Sequence, residues 1–410
     1  MRLTFHTAGE SHGQALVVIV EGAPAGLALA AADIDRELGR RMKGHGRGAR
    51  MKIEQDRVEI LAGVRAGETL GSPLALQIIN KDWANWADVM SPEGTPGELR
   101  RRRVTRPRPG HADLVGLLKY DRLDARDILE RASARETAAR VAAGAVARTL
   151  LSHFGVEVGS HVISLGGIQA QVPDPLPAPL NRASDDSPVR TLDREAGAEM
   201  VRRIDQAKAE GDTLGGEVEV VATGLVVGLG SHVSWDRRLD GRLGGQLCSI
   251  PAVKGVEIGM GFQGARMPGS AVHDAIHRSS VSPSGDTRGG FCRASNNAGG
   301  LEGGMTTGEP LVVRVAMKPI STLMRPLQTV DLVTGEEAKA QSERSDVTAV
   351  PALGVIAEAM VALVLADAMI EKFGGDSLGE MRRNYDGYLA SLGGRWDALR
   401  EVSTSAKEAE

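Results

Sequence analysis

Nine residues from Arg100 to Arg108 hold six arginines and no acid, and the run continues Pro109-Gly110-His111. Guanidinium groups offer paired donors that match carboxylate and phosphate oxygens. Pro107 and Pro109 fix their own φ and push Arg106 and Arg108 towards extended backbone. The stretch predicts a stiff loop that aims Arg108 and His111; a solvated basic surface loop is the plain alternative. A second basic segment runs Lys43-Gly44-His45-Gly46-Arg47-Gly48-Ala49-Arg50. Its glycines let backbone wrap an oxyanion, and Arg41, Arg47 and Arg50 supply charge. Two such segments point to one shared anionic ligand. Ser11 and His12 stand in the glycine-bracketed turn Gly9-Glu10-Ser11-His12-Gly13, where a strand end can present them to a cleft.

The elements that must position these groups are legible as alternation and periodicity. Strands are expected at Arg2 to Thr7, Ala15 to Val20, Lys52 to Leu61, Leu74 to Ile79 and Leu311 to Met317. A helix is expected over Asp33 to Met42. The strongest helical pattern runs from Asp127 to Phe154 and closes on Gly155; it would place Arg131 and Arg135 on one face. Residues 172–190 carry five prolines and read as an irregular surface excursion. Leu192 to Glu210 predicts a charged helix, Gly216 to Leu229 a hairpin, and Gly354 to Phe373 an apolar helix. The glycine-rich segment from Gly285 to Gly308 reads as a buried ligand loop. Residues 1–400 read as one catalytic domain, and 401–410 as a frayed tail.

Two apparent motifs fail their context. Gly259-Met260-Gly261-Phe262-Gln263-Gly264 matches a dinucleotide fingerprint, yet Ala265-Arg266-Met267-Pro268-Gly269 cannot open the long helix it needs. His273 and His277 have metal-pair spacing, but no third ligand is evident, so no metal is expected. The net charge of −4 and 3% aromatic content argue against nucleic acid, whose single strands are gripped by stacking. A phospho-ligand or RNA binder using Arg100 to Arg108 is the rival reading. Two cysteines fit a reducing cytosol, and neither a signal peptide nor a membrane span is expected.

Six motifs in order carry a resemblance: Gly9-Glu10-Ser11-His12-Gly13, Gly46-Arg47-Gly48, Arg108-Pro109-Gly110-His111-Ala112-Asp113, Arg131-Ala132-Ser133-Ala134-Arg135-Glu136-Thr137, Gly303-Gly304-Met305 and Arg344-Ser345-Asp346. From Thr7 to about Gly374 the chain resembles the chorismate synthases. That resemblance implies an α+β fold, a β-α-β sandwich with helices between antiparallel sheets. The similar run-ups and Phe-Gly ends of the two apolar helices add the expectation of an internal duplication. It further implies a cytoplasmic homotetramer and a lyase acting on 5-enolpyruvylshikimate 3-phosphate. The products are chorismate and phosphate, in the last step of the shikimate pathway. Reduced FMN is required, although the anti 1,4-elimination has no net redox change.

The resemblance also assigns roles. His12 keeps the reduced flavin in its protonation state, His111 protonates the departing phosphate, and Asp346 assists loss of the C6 hydrogen by acting on flavin N5. Ser11, Arg41, Arg47, Arg50, Arg108, Arg135 and Arg344 hold the substrate. Arg131, Ala132, Ser133, Ala252, Gly303, Lys318, Pro319, Ile320, Ser321, Thr322 and Arg344 hold FMN. Arg41 and Arg47 are also the implied contacts of NADPH, should the chain reduce its own flavin. Pro251 departs from the family, which usually has an amide side chain there; proline offers neither that group nor a backbone N–H.

Overall fold

The period-two pattern near the N-terminus becomes an antiparallel sheet in the computed structural model, which describes residues 2–48, 55–93, 102–279, 286–343 and 345–407. Its strands are β1 (Thr4–Ala8), β2 (Ala15–Glu21), β3 (Val58–Ala62) and β4 (Leu74–Ile79), in the order β1-β2-β4-β3. Leu16 pairs with Ile78, Val18 with Leu76 and Val20 with Leu74, and all six side chains are fully buried. Alternation thus puts one face of the sheet wholly in the core.

A second antiparallel sheet comprises β5 (Glu157–Leu165), β6 (Ile168–Gln169), β7 (Gly216–Thr223), β8 (Val253–Ile258) and β9 (Leu311–Met317), in the order β8-β9-β7-β5-β6. The principal helices are α1 (Ala31–Met42), α2 (Asp113–Tyr120), α3 (Thr137–Ser152), α4 (Arg194–Glu210), α5 (Leu239–Cys248), α6 (Val350–Phe373) and α7 (Leu378–Lys407). Helix α3 packs on β2, α1 and α6, while α6 packs on β5 and β7. One apolar cluster runs from Leu3 to Tyr385 through both sheets and these helices except α2, whose Leu117 packs in a small separate cluster with Val104, Ala125 and Leu129. The chain therefore mixes helices with antiparallel sheets, an α+β fold.

By length and composition α6 could cross a membrane, but its whole apolar window is buried inside the fold. A helix apolar all round needs neighbours on every side. At its crossing with α3, a Cβ on Gly144 would lie 2.3 Å from the Cβ of Ala359. Gly144→Val is expected to cost about 1–3 kcal/mol by overpacking, read as a lowered urea midpoint at unchanged slope.

Several elements differ from their sequence reading. The expected helix Asp127 to Phe154 is broken: a short helix at Arg126–Leu129, a turn, a 3₁₀ segment at Ala134–Glu136, then α3. The Ser133 side chain accepts from the N–H of Arg135, which favours the turn over continuous helix. Arg131 and Arg135 consequently do not share a helical face. Gly216 to Leu229 holds the strand β7 and no hairpin, because β7 finds partners in β5 and β9 instead. The proline-rich excursion contains a helix at Leu180–Asp185. The C-terminal backbone stays helical to Lys407, beyond the point where fraying is expected. Arg50, Arg344 and part of the Lys52 to Leu61 stretch lie outside the described residues.

Candidate active site

Arg108-Pro109-Gly110-His111 folds as a tight turn, with the N–H of His111 donating to the carbonyl of Arg108 at 3.2 Å. Proline supplies the second position and Gly110, at φ 77°, the left-handed third. The reversal returns both side chains to Asp113, in the first turn of α2. Arg108 donates to this carboxylate from its backbone N (3.0 Å) and from Nε (2.8 Å), and His111 Nδ1 meets Oδ1. Burial would push the Asp113 carboxyl up, but the hydrogen bonds and charges of His111 and Arg108 hold it well below the carboxylate range. Arg108 Nη1 also donates to Thr322 Oγ1 at 2.8 Å, and Lys318 Nζ to the carbonyl of Gly110. These bonds join the turn to the segment after β9.

His12 follows β1 in a loop pinned by Asn80, whose Nδ2 donates to the carbonyls of Glu10 and Gly13. Both its backbone N–H and its Nδ1 lie 2.9 Å from the Glu130 carboxylate. The ring stacks on Trp86, centroids 3.9 Å apart and planes at 23°. Arg126 Nη1 reaches the same carboxylate at 2.8 Å. Burial pushes the Glu130 carboxyl up, but His12 and Arg126 outweigh it and leave it below its ordinary value.

Both imidazoles line one cavity of about 990 Å³. Arg41 and Arg47 line it from the α1 side, Arg102, Arg103, Arg108 and Arg126 from the middle of the chain, and Arg135 from the turn before α3. Among the described residues, Lys254 and Lys318 bring the lining cations to nine, against three carboxylates, Asp82, Glu343 and Asp346. Burial pushes the Arg41 guanidinium down to about 10; Asp56 opposes the shift, and adjacent Arg47 and Arg135 add to it. Cations packed so closely repel one another, and an arriving polyanion relieves that repulsion. Asp346 is held by Arg47 Nη1 at 3.0 Å and by the N–H of Gly48 at 2.6 Å. Arg135 is tied to Asp56 and to Asn80, so part of its charge is already answered.

Ser11, Ala132, Ser133, Pro251, Ala252, Ile320, Ser321 and Thr322 complete the part of the wall foreseen from sequence. Ala252 sits at φ 70°, strained for a residue with a Cβ, and its carbonyl accepts from the N–H of Lys318. Three of the residues named from sequence do not line this cavity. Arg131 donates to the carbonyls of Thr7 and Gly9. Gly303 makes the turn between Leu301–Glu302 and Met305–Thr306, and Pro319 is absent from the lining, as is the described part of the Gly285 to Gly308 segment. Trp86, Arg126, Glu130 and Asp56 were not singled out from sequence. Only spacing within the His111-Ala112-Asp113 motif could have suggested a carboxylate partner for an imidazole.

A cavity this rich in cations, with two carboxylate-backed imidazoles, has the charge to hold a small polyanion and groups able to exchange protons. The chorismate synthase family profile matches residues 3–370. Chorismate synthase of Geobacter sulfurreducens is 57% identical over 387 residues, covering 94% of this chain and 98% of that protein. Chorismate synthase of Thermobifida fusca is 57% identical over 397 residues, covering 95% and 99%. A crystal structure of chorismate synthase superposes with a TM-score of 0.76 at 43% identity, covering 96% of this chain and 99% of that one. This chain belongs to the chorismate synthase family.

Proposed function

We propose that this chain converts 5-enolpyruvylshikimate 3-phosphate to chorismate and phosphate by anti 1,4-elimination with reduced FMN. The observation that carries the reading is the shared cavity, where His12, His111 and Asp346 meet nine cations among the described residues. The substrate bears two carboxylates and a phosphate, and the flavin a further phosphate, which is the charge such a wall can balance. The donor set fits a phosphorylated cofactor: Lys318, Ser321 and Thr322 are far from Ala132 and Ser133 in the sequence but line the same cavity. When bound, reduced flavin supplies electron density to the substrate's allylic system.

The protein's own part is clamping and proton control. Arg108, Arg47 and Arg135 hold anionic groups at the wall. As the C3–O bond breaks, its electron pair leaves with phosphate, and the imidazolium of His111 delivers a proton to the departing oxygen. Asp113 stabilises that imidazolium and orients its ring. Asp346, fixed by Arg47 and Gly48, is the carboxylate available when the C6 hydrogen leaves. Arg41 and Arg47, the implied contacts of NADPH, belong to this same wall. We read the layering as a β-α-β sandwich with an internal duplication relating α3 and α6, and the working form as a cytoplasmic homotetramer.

The test is an anaerobic assay with dithionite-reduced FMN and the phosphorylated substrate, following chorismate absorbance. Chorismate should form in the presence of reduced FMN without stoichiometric consumption of reductant. Product formation coupled one-to-one to NADPH oxidation would point instead to an oxidoreductase, and no product at all would end the proposal.

A further inference from the structure

A buried carboxylate stands behind His12, and the reaction as written gives it no task. Glu130 is 2% exposed and takes two contacts from one residue: the backbone N–H of His12 on Oε2, and the ring Nδ1 on both oxygens, all at 2.9 Å. An imidazole nitrogen facing a carboxylate this closely carries the proton, so the contact fixes the tautomer. Stacking on Trp86 at 3.9 Å fixes the ring plane. We propose that Glu130 is a positioning residue for the elimination, setting the tautomer of His12 when its ring is neutral and favouring its protonated form. The proposal rests on the role given to His12 above.

The charges around the pair make the expectation definite. Arg126, from the short helix at Arg126–Leu129, donates to Glu130 at 2.8 Å, and its Cζ lies 5.0 Å from the Trp86 ring centroid. Arg102, from the arginine-rich loop, stands 4.4 Å from the same centroid. Asp82, from the 3₁₀ segment at Lys81–Asn85, is occupied by the Trp86 indole N–H at 3.1 Å. Glu10, on the loop of His12 itself, is exposed. Two guanidiniums therefore oppose a protonated His12, and Glu130 is the buried carboxylate that favours it. Glutamine is nearly isosteric and its carbonyl still accepts from Nδ1–H, so Glu130→Gln removes charge while keeping a hydrogen bond. A purely structural Glu130 would tolerate that exchange.

The measurement is peptide-resolved modification of the full chain by diethyl pyrocarbonate, which attacks neutral imidazole, across a pH series. In Glu130→Gln the midpoint of His12 should fall by about one pH unit or more, the range for losing an opposite charge at this distance. His111 should not move. Arg126→Met, which removes a cation from the same carboxylate, should move His12 upward, and the alkaline limb of kcat should follow His12 in each variant. A His12 midpoint unchanged in folded Glu130→Gln overturns the proposal. Should that variant not fold, Arg126→Met decides: an upward shift supports the role, and no shift or a downward one refutes it. The titration does not depend on turnover. Chorismate formation without the shift sinks the role of Glu130 alone, whereas the shift without chorismate from the unmodified chain sinks the elimination.

Discussion

Replacing His111 by Ala is expected to lower turnover by about 10²–10⁴-fold while leaving flavin affinity close to that of the unmodified chain. The ring is tied through Nδ1 to Asp113, and Asp113 is itself locked by three donors of Arg108. Removing the imidazole therefore leaves the turn, the arginine and its bond to Thr322 in place. What disappears is the proton donor for the departing phosphate, so the loss should fall on kcat with little change in KM. Flavin titration by absorbance and anaerobic steady-state kinetics separate the two effects. His111→Gln, polar but unable to act as an acid, should lose as much as the alanine variant. Near-normal turnover in either variant would strip His111 of its assigned task.

Legibility from sequence followed the range over which each interaction acts. The strands Leu74–Ile79 and Leu311–Met317 have their expected bounds, because alternation is a local signal. The stretch around Arg108 was legible as a stiff, non-helical loop for the same reason, since Pro107 and Pro109 fix their own backbone; its closure into a turn at His111 is a finding of the structure. The over-long helix from Asp127 shows the converse. Its Ala, Arg, Leu and Glu content suits a helix, but Ser133 and Glu130 are spent on contacts with Ser11 and His12, more than a hundred residues away. Those contacts break the helix, and they also build the wall of the cavity. Arg131 and Arg135 make the point more sharply. Four residues apart in a cationic motif, one ends at an exposed bond to Thr7 and the other buried against Asp56. No local pattern distinguishes them.

Arg40 and Arg41 diverge in the same way, and the destination of Arg40 yields the largest stability effect expected here. Arg41 faces the cavity; Arg40 turns inward to Glu358, a fully buried carboxylate in the middle of the apolar helix α6. Arg148 and Arg190 reach the same group at 2.9 and 3.0 Å, and Ser160 donates at 2.6 Å. Glu37 and Asp185 complete a cluster of three acids and three bases. Burial would push the Glu358 carboxyl up, yet the three guanidiniums pull it down to about 2. Glu358→Gln leaves three cations facing two acids inside the protein, and breaking a buried pair in this way costs about 3–5 kcal/mol. A urea midpoint at neutral pH should fall accordingly. The pH dependence supplies the discriminating test. A carboxyl held below its ordinary value near 4.5 contributes fully above that pH, and its contribution is lost as pH falls towards about 2. The stability gap between the unmodified chain and Glu358→Gln should therefore narrow across that window, because protonation does to the glutamate what the substitution does. A gap that stayed constant from pH 6 to pH 3 would mean that shape, and not charge, makes Glu358 matter.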